Sequence, residues 1–583
     1  MKSSTPQPAV TDSKRTLGGA DLLMFAGLVG LLWSVLHFGR GMFVHFDEST
    51  AEPLSTSVWN IPYYAGRTLL RMWIAFGCSL LFTFVVGYAA AKNRVARSFI
   101  LPAIDILQSV PVLGFLSVTV VGFMMLFPHN LFGVECASIF AIFTGQVWNM
   151  TFGFYHSMVT IPEDMREAAS SFNLNRWQRF TTLEVPASTH SLIWNSTMSF
   201  GGGWFFVAQS EAISVMNKDI QLPGLGSYMA SAVQRGDNQA ALWAIVAMLT
   251  VIVASDQLVW RPLLAWADKF KIEMTESGDS ARSWLYNLFR GAFLFSWIER
   301  SIAEPARDWL RNITLRFPVN APRQVKRRKR VPRILFRVFG TIAILWIGYQ
   351  AVAGLAAAII SVQTHVSPAE LGHIAWLGFL TLLRVIVMTV LATLIWTPVG
   401  VWIGSRPKVA RIAQPLAQIA ASFPVNMTFP FVVGFYARNH IDMNWGSIAL
   451  IAMGTQWYIL FNVIAGAMAI PNDLKEAART YGLRGWPLWR TLILPAIFPF
   501  WITGACTAAG GAWNASIVAE LATWGSTTLK ADGLGAFIAN VTKSGDTPLI
   551  ISSIVMMSLF VVFMNKLIWR RLYALAERRF HLD

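Results

Sequence analysis

Ile161-Pro162-Glu163-Asp164-Met165-Arg166-Glu167-Ala168-Ala169 returns 309 residues later as Ile470-Pro471-Asn472-Asp473-Leu474-Lys475-Glu476-Ala477-Ala478. The match continues at the same spacing through Leu174 and Leu483, Trp177 and Trp486, Thr182-Leu183 and Thr491-Leu492, and Val185-Pro186-Ala187 and Leu494-Pro495-Ala496. A constant offset over the whole stretch marks an internal duplication. The repeat reaches well beyond it. Thr68-Leu69-Leu70-Arg71 matches Thr381-Leu382-Leu383-Arg384 at an offset of 313, as do Gly87 with Gly400 and Pro111 with Pro424. Trp148 and Trp457, Trp204 and Trp513, Glu211 and Glu520, Gly224-Leu225-Gly226 and Gly533-Leu534-Gly535, and Asp237 and Asp546 keep the offset of 309. The second copy therefore loses four residues between about 112 and 147.

The repeated stretch sits between long apolar runs. The chain is 55% hydrophobic and 13% charged, against about 25% charged in a soluble domain, and its mean hydropathy is +0.49. Runs near the length of a membrane-crossing helix predict an all-α integral membrane protein. Twelve runs are expected, six per half: 18–38, 68–91, 99–127, 135–157, 188–210 and 239–261, then 334–358, 374–404, 412–437, 446–468, 496–518 and 547–569. Six helices per half send both copies into the membrane in the same direction, as a parallel repeat. The net charge of +16 comes from Lys and Arg between the runs, on one side of the twelve-helix thread. That pattern places both termini and both repeated loops in the cytoplasm and gives no reason to expect nucleic acid. Cys78, Cys136 and Cys506 each lie inside an apolar run and read as small hydrophobes, not a disulfide framework or a metal site.

The expected organisation is a disordered segment 1–16, a first six-helix repeat 17–261, a linker 262–333, a second repeat 334–569 and a basic cytoplasmic tail 570–583. Stretches 39–66 and 211–238 read as loops. Within the linker, Asp279 to Ile313 has helical apolar spacing without a run long enough to span. It reads as an interfacial helix or as a packed cytoplasmic hairpin. Lys326-Arg327-Arg328-Lys329-Arg330 suits anionic headgroups or acts as a topogenic cluster.

The repeated loop has the grammar of a short helix built twice. Pro162 and Pro471 suit a first turn. Glu163, Asp164 and Asp473 lie where the helix dipole favours acids. Ala168-Ala169 and Ala477-Ala478 leave a narrow face beside Glu167 and Glu476. Gly482 is a natural left-handed C-terminal cap, and Asn173 is the next best residue for that conformation. A rigid helix projecting from the membrane and shaped for a groove in another protein is the expectation; a purely structural turn is the plainer alternative.

Glu-Ala-Ala, three residues, Gly, nine residues, then aliphatic-x-aliphatic-Pro resembles the signature of ABC-importer permeases. The second copy carries it in Glu476, Ala477, Ala478, Gly482, Leu492, Leu494 and Pro495, and the first departs from it at Asn173. Arg71 and Arg384, Pro111 and Pro424, Gly201-Gly202-Gly203-Trp204 and Gly510-Gly511-Ala512-Trp513, and Glu211 and Glu520 narrow the resemblance to nitrate/sulfonate/taurine-type permeases, in a form with both halves fused. The resemblance implies a type I importer in a bacterial cytoplasmic membrane. An extracytoplasmic binding protein would hand over a small solute, an anion of the nitrate, sulfonate, taurine or bicarbonate kind. Two ATPase subunits would dock on the repeated loops. The chain has no G-x-x-x-x-G-K sequence, so ATP and Mg belong to those separate subunits and this chain is expected to be neither an enzyme nor a cofactor protein.

Polar residues inside such helices usually face the bundle interior. The fifth helices are expected to line the path, through Asn195, Ser199, Gly202, Trp204 and Gln209 in the first half and Thr507, Gly511, Trp513, Asn514 and Ser516 in the second, with the two Trp as constrictions. Service in helix packing alone is the alternative. Glu211 is expected to pair with Arg71, and Glu520 with Arg384, as an outer gate that a reversed pair would restore. Contact of these acids with the binding protein is an equal alternative. The rival functions are a duplicated permease for ferric ion or polyamine, which would need an acidic path, and a six-plus-six secondary transporter, which would need coupling charges in mid-helix. The helix cores read as neutral.

Overall fold

A computed structural model describes residues 19–46, 54–108, 110–215, 218–270, 284–290, 301, 305, 346, 349, 353–354 and 356–579. These residues form two compact units. One is drawn from Met1–Gly39, His156–Trp194 and Ala254–Val325, the other from Arg40–Tyr155, Asn195–Val253 and Lys326–Asp583.

The first repeat contains α1 (Gly19–Arg40), α2 (Ile61–Phe82, continuing to Lys92), α3 (Arg94–Leu107), α4 (Val112–Leu126), α5 (Leu131–Val159), α6 (Glu163–Ser171), α7 (Val185–Ser210), the hairpin β1 (Ala212–Val215) and β2 (Lys218–Gln221), α8 (Leu225–Arg235) and α9 (Asn238–Ser255). The second has α10 (Pro368–Gly404), α11 (Pro407–Ser422), α12 (Phe429–Arg438), α13 (Met443–Ala469), α14 (Asn472–Thr480), α15 (Leu494–Ala519), β3 (Leu521–Trp524) and β4 (Thr527–Lys530), α16 (Leu534–Ser544), α17 (Thr547–Met564) and α18 (Arg570–Arg579). Among the described residues, eight helical stretches are long and apolar enough to cross a membrane, and two bent pairs raise the number to ten. The expected run 188–210 is α7, helical over 26 residues but made more polar by His190, Asn195 and Gln209. The run 334–358 lies almost wholly outside the described residues, as do 1–16 and most of 262–333, where Trp284–Arg290 is helical.

Three expectations are corrected. The runs 99–127 and 412–437 are each two helices, bent by 100° between α3 and α4 and by 76° at the start of α12's turn. Pro111 and Pro424 stand at the breaks, because proline donates no hydrogen bond and disfavours helix in the residue before it. Stretch 211–238 is a β-hairpin followed by a helix. The second core helix starts at Ile61, and its counterpart at Pro368, so Arg71 and Arg384 lie well inside their helices.

Local signals explain the repeated boundaries. Asp237 and Asp546 cap α9 and α17, accepting from Ala240 N (3.0 Å) and Leu549 N (3.2 Å). Gly236 (φ +66°) and Gly545 (φ +77°) end α8 and α16 in the left-handed region. π-helical turns recur in register, at Phe180–Glu184 and Trp489–Ile493 and at Asp256–Trp260 and Asn565–Trp569. In the second unit one core runs through both repeats: Val120, Val134 and Ala137 are buried with Val385, Met388, Ile451, Ile502 and Trp513. The other faces carry exposed large apolar residues, such as Leu383, Val390, Leu394 and Trp402 along α10, as lipid-facing surfaces do.

Candidate functional site

The two repeated loops fold alike. α6 and α14 are nine-residue helices, with Pro162 and Pro471 at the N-cap position in extended conformation, one residue earlier than the expected first turn. Acids follow at Glu163, Asp164 and Asp473. Asn173 takes φ +52° and Gly482 φ +66°. In both loops the chain closes in the same way: Leu174 N donates to Ala169 O at 3.2 Å and Leu483 N to Ala478 O at 2.9 Å, the six-to-one bond of a Schellman cap. The departure at Asn173 thus leaves the cap intact. Ala169 and Ala478 are buried, while Glu167, Ala168, Glu476 and Ala477 are exposed. The same three apolar positions are exposed in each copy: Met165 and Leu474, Phe172 and Tyr481, Trp177 and Trp486. Phe172 is 77% and Tyr481 82% exposed, unusual for aromatic residues with no partner surface.

At the C-terminal ends of α7 and α15 stand two buried carboxylates. Arg71 Nη1 lies 2.7 Å from Glu211 Oε1, and Arg384 Nη1 lies 2.9 Å from Glu520 Oε1. Each acid is also the anion of a helix N-terminus. Glu211 Oε2 accepts from Gly226 N at 2.7 Å, and Glu520 Oε2 from Gly535 N at 2.8 Å and Ala536 N at 3.2 Å. Thr68 and Thr381 hydroxyls donate to the same carboxylates at 2.7 and 2.8 Å and accept from Leu225 N and Leu534 N. The Gly-Leu-Gly motif follows from this contact. A β-carbon at Gly224 or Gly533 would overlap the carboxylate, and one at Gly226 or Gly535 would overlap the backbone of α7 or α15. The expected rescue by reversing Arg384 and Glu520 is withdrawn, because the reversed guanidinium would face a helix N-terminus.

The first repeat adds a second ion pair that the sequence reading missed. Glu135 has no solvent exposure and is held by Arg67 and by Arg71, whose Nε lies at 2.5 Å and Nη2 at 2.7 Å. The expectation of neutral helix cores is therefore corrected. At the repeat offsets Leu380 stands for Arg67 and Asn444 for Glu135. Asn444 does the same work without charge: Arg384 Nη2 donates to its Oδ1 at 2.8 Å, and Nε to its carbonyl at 3.1 Å. One cation and one anion are removed together, and each corner stays neutral. The signals for Glu135 were an acid inside an apolar run and two arginines one helical turn apart.

In the second unit a cavity of about 270 Å³ opens beside α15. Thr507, Gly511, Trp513 and Asn514 line it, with Gln108 from α3's end, Asn149 from α5, Tyr458 from α13 and Asn565. No charged side chain lines it. Asn195, Ser199, Gly202, Trp204, Gln209 and Ser516 lie outside its lining. Trp204 and Trp513 are each 1% exposed, and Trp204 packs edge-on to Phe200 at 5.7 Å. Among the described residues, no group of His, Cys, Asp and Glu is arranged to hold a metal.

Comparison with known proteins matches residues 83–259 and 396–581 to the model of the binding-protein-dependent transport system inner membrane component family. The chain is 26% identical over 193 residues to a nitrate import permease protein of Leptolyngbya laminosa, covering 33% of this chain and 66% of the relative. It is 31% identical over 150 residues to a putative aliphatic sulfonates transport permease protein of Escherichia coli, covering 26% and 53%. It is 27% identical over 163 residues to a bicarbonate transport system permease protein of Synechococcus elongatus, covering 28% and 55%. The chain thus spans about half to two thirds of the length of the relatives it matches.

Two substitutions test the corners. Glu135→Asn alone strands Arg67 in the interior and is expected to lower stability by about 3–5 kcal/mol, the usual cost of breaking a buried pair. Adding Arg67→Leu recreates the second repeat's arrangement and is expected to recover most of that loss, read as the thermal midpoint of the purified protein in detergent. A double variant no more stable than the single would refute the compensation. Separately, Gly533→Ala is expected to cost at least about 1–3 kcal/mol through overpacking against Glu520, whereas Gly510→Ala, where a β-carbon meets nothing, leaves the midpoint unchanged.

Proposed function

Because the chain belongs to the binding-protein-dependent transport system inner membrane component family, we propose that it is the membrane permease of an ATP-driven importer, carrying both permease halves in one polypeptide. The observation that carries this reading is the pair of capped helices α6 and α14. With the turns that follow them they present three exposed side chains at matched positions, and an exposed Glu-Ala pair over a buried alanine, twice in one chain. Two matching docking surfaces call for two partner subunits. In this reading those are ATPase subunits on the cytoplasmic side of a bacterial inner membrane. They engage Glu163, Asp164, Glu167, Ala168, Ala169 and Asn173 on one helix and Asp473, Glu476, Ala477, Ala478 and Gly482 on the other. ATP and Mg are bound by them, and a binding protein outside delivers the solute. Both termini then lie in the cytoplasm.

The proposed cargo is a small anion. A cavity lined by amides, hydroxyls and indoles with no carboxylate suits an oxyanion better than ferric ion or polyamine, which need acidic ligands. The names of the relatives point the same way. A secondary transporter would need an intramembrane acid free to titrate, and Glu135 is held by two arginines. The outer-gate role proposed for Arg71, Glu211, Arg384 and Glu520 is that of fixed corners, which hold α8 and α16 against the ends of α7 and α15.

The test is reconstitution with ATPase subunits of a binding-protein-dependent importer from the same organism. Two ATPase subunits are expected to co-purify per permease chain. Glu167→Ala with Glu476→Ala is expected to abolish uptake while leaving the thermal midpoint unchanged. A chain that purifies alone and moves nitrate down an ion gradient would overturn the reading.

A further inference from the structure

The cavity beside α15 has walls that differ between the repeats. At the offset of 309, Thr507 corresponds to Met198 and Asn514 to Phe205, so the polar wall on α15 has an apolar counterpart on α7. Asn149 and Tyr458 correspond to each other and both line the cavity, which places it at the junction of the repeats.

Asn514 is fixed in orientation. Its Oδ1 accepts the backbone N–H of Val112 at 2.9 Å. That N–H is the first of α4, immediately after the break at Pro111, and Val112 also lines the cavity. An N–H can only be met by the amide oxygen, so the other end of the carboxamide is the NH2 group. Its nitrogen has no hydrogen bond among the described residues, although the side chain borders the cavity. Tyr458 adds a hydroxyl beside Gly202. Thr507 already donates to Thr503 O at 2.8 Å, so it adds no donor. The positive end of α4 faces the same space, as the half-helices of discontinuous membrane segments do toward anions.

We propose that Asn514 is the specificity-determining residue of this cavity. Its oxygen ties the broken first-repeat helix to α15, and its nitrogen, with the Tyr458 hydroxyl, holds a small oxyanion by neutral donors. The inference rests on the anion-importer reading above and deepens it. Neutral donors recognise an oxyanion through charge-assisted hydrogen bonds without the deep well that a lysine or arginine would create. A carried solute has to leave again. The first repeat contributes Phe206, the α4 terminus and the side chains of Gln108 and Asn149, and the second contributes the amide fixed in orientation.

The two functions of the carboxamide separate chemically. Asn514→Asp keeps an acceptor for Val112 N–H and turns the cavity-facing donor into a negatively charged acceptor. Tyr458→Phe removes one hydroxyl and leaves the Val112 bond untouched. Cys506 also lines the cavity and reports on its occupancy. The full chain carrying Cys78→Ser and Cys136→Ser is placed in lipid nanodiscs, and the rate of Cys506 modification by a small methanethiosulfonate is measured. Nitrate, ethanesulfonate, bicarbonate and spermidine are added in turn.

At least one of the three oxyanions is expected to slow the modification, and spermidine is not. The oxyanion concentration needed for half-protection is expected to rise about tenfold or more in Asn514→Asp, and by less in Tyr458→Phe, as loss of a charge-assisted donor predicts. Oxyanion protection that survives Asn514→Asp unchanged overturns the assignment of Asn514 and leaves the importer reading standing. Protection by spermidine alone overturns the anion reading itself. Absence of protection by all three oxyanions overturns the proposed binding site.

Discussion

A carboxylate with no solvent exposure sits under the first turn of a helix in each repeat, and much of the surrounding architecture follows from making that tolerable. Moving an ionised carboxyl out of water costs several kcal/mol even after relaxation, about 20 in the idealised limit. Glu211 and Glu520 offset it with a guanidinium, a threonine hydroxyl and backbone N–H groups at the positive end of a helix. Each partner fixes an element. The arginine sets the register of α2 or α10. The N–H groups set where α8 or α16 begins. The carbonyl of each glutamate accepts from Leu222 N or Ala531 N at 2.8 Å, which closes the hairpin that returns the chain to the carboxylate. The glycines on either side of Leu225 and Leu534 are the residues with room for this contact.

Divergence between the repeats respects the same constraint. The pair Arg67 and Glu135 has become Leu380 and Asn444, a change that removes both charges or neither. Removing only the acid would leave a buried cation, and removing only the arginine would leave Glu135 with one partner fewer. Asn444 keeps the geometry by offering Arg384 a side-chain oxygen and its own carbonyl. It also accepts Asp532 N at 2.9 Å, tying the residues before α16 to the start of α13. Substitution by amide therefore adds a link as it removes a charge.

The fold was legible because its signals are local and occur twice. Hydropathy located the spans, the offset of 309 aligned the halves, and proline, acid and glycine spacing in the repeated loop gave α6 and α14 with their left-handed caps. What was missed depends on distant contacts. Pro111 and Pro424 were visible as a matched pair, yet a bend of 100° or 76° depends on what each half-helix packs against. Arg67 made the second helix seem to begin after it, because a charge reads as a boundary until its partner 68 residues away is known. Hairpins of four-residue strands are too short to show a clear alternation. The cavity was half legible: Thr507, Gly511, Trp513 and Asn514 were marked by polarity within an apolar helix. Tyr458 was not, since an amphipathic residue on a fourth helix looks the same whether it faces lipid, packing or a cavity.

Fusion of the two repeats has a consequence for recognition. A symmetric pair of identical repeats must present every side chain twice, so an asparagine facing the axis would face its own copy. In one chain the two positions are independent, and here they hold Asn514 and Phe205. The amide oxygen at Asn514 meets Val112 N, at the broken helix of the other repeat. A symmetric partner would place the same bond on the second break, at Val425 N, but the position matching Asn514 is Phe205, which offers no acceptor, and the break folds as a 3-10 turn at Val425–Thr428. The two broken helices thus differ in their partners as well as in their bends.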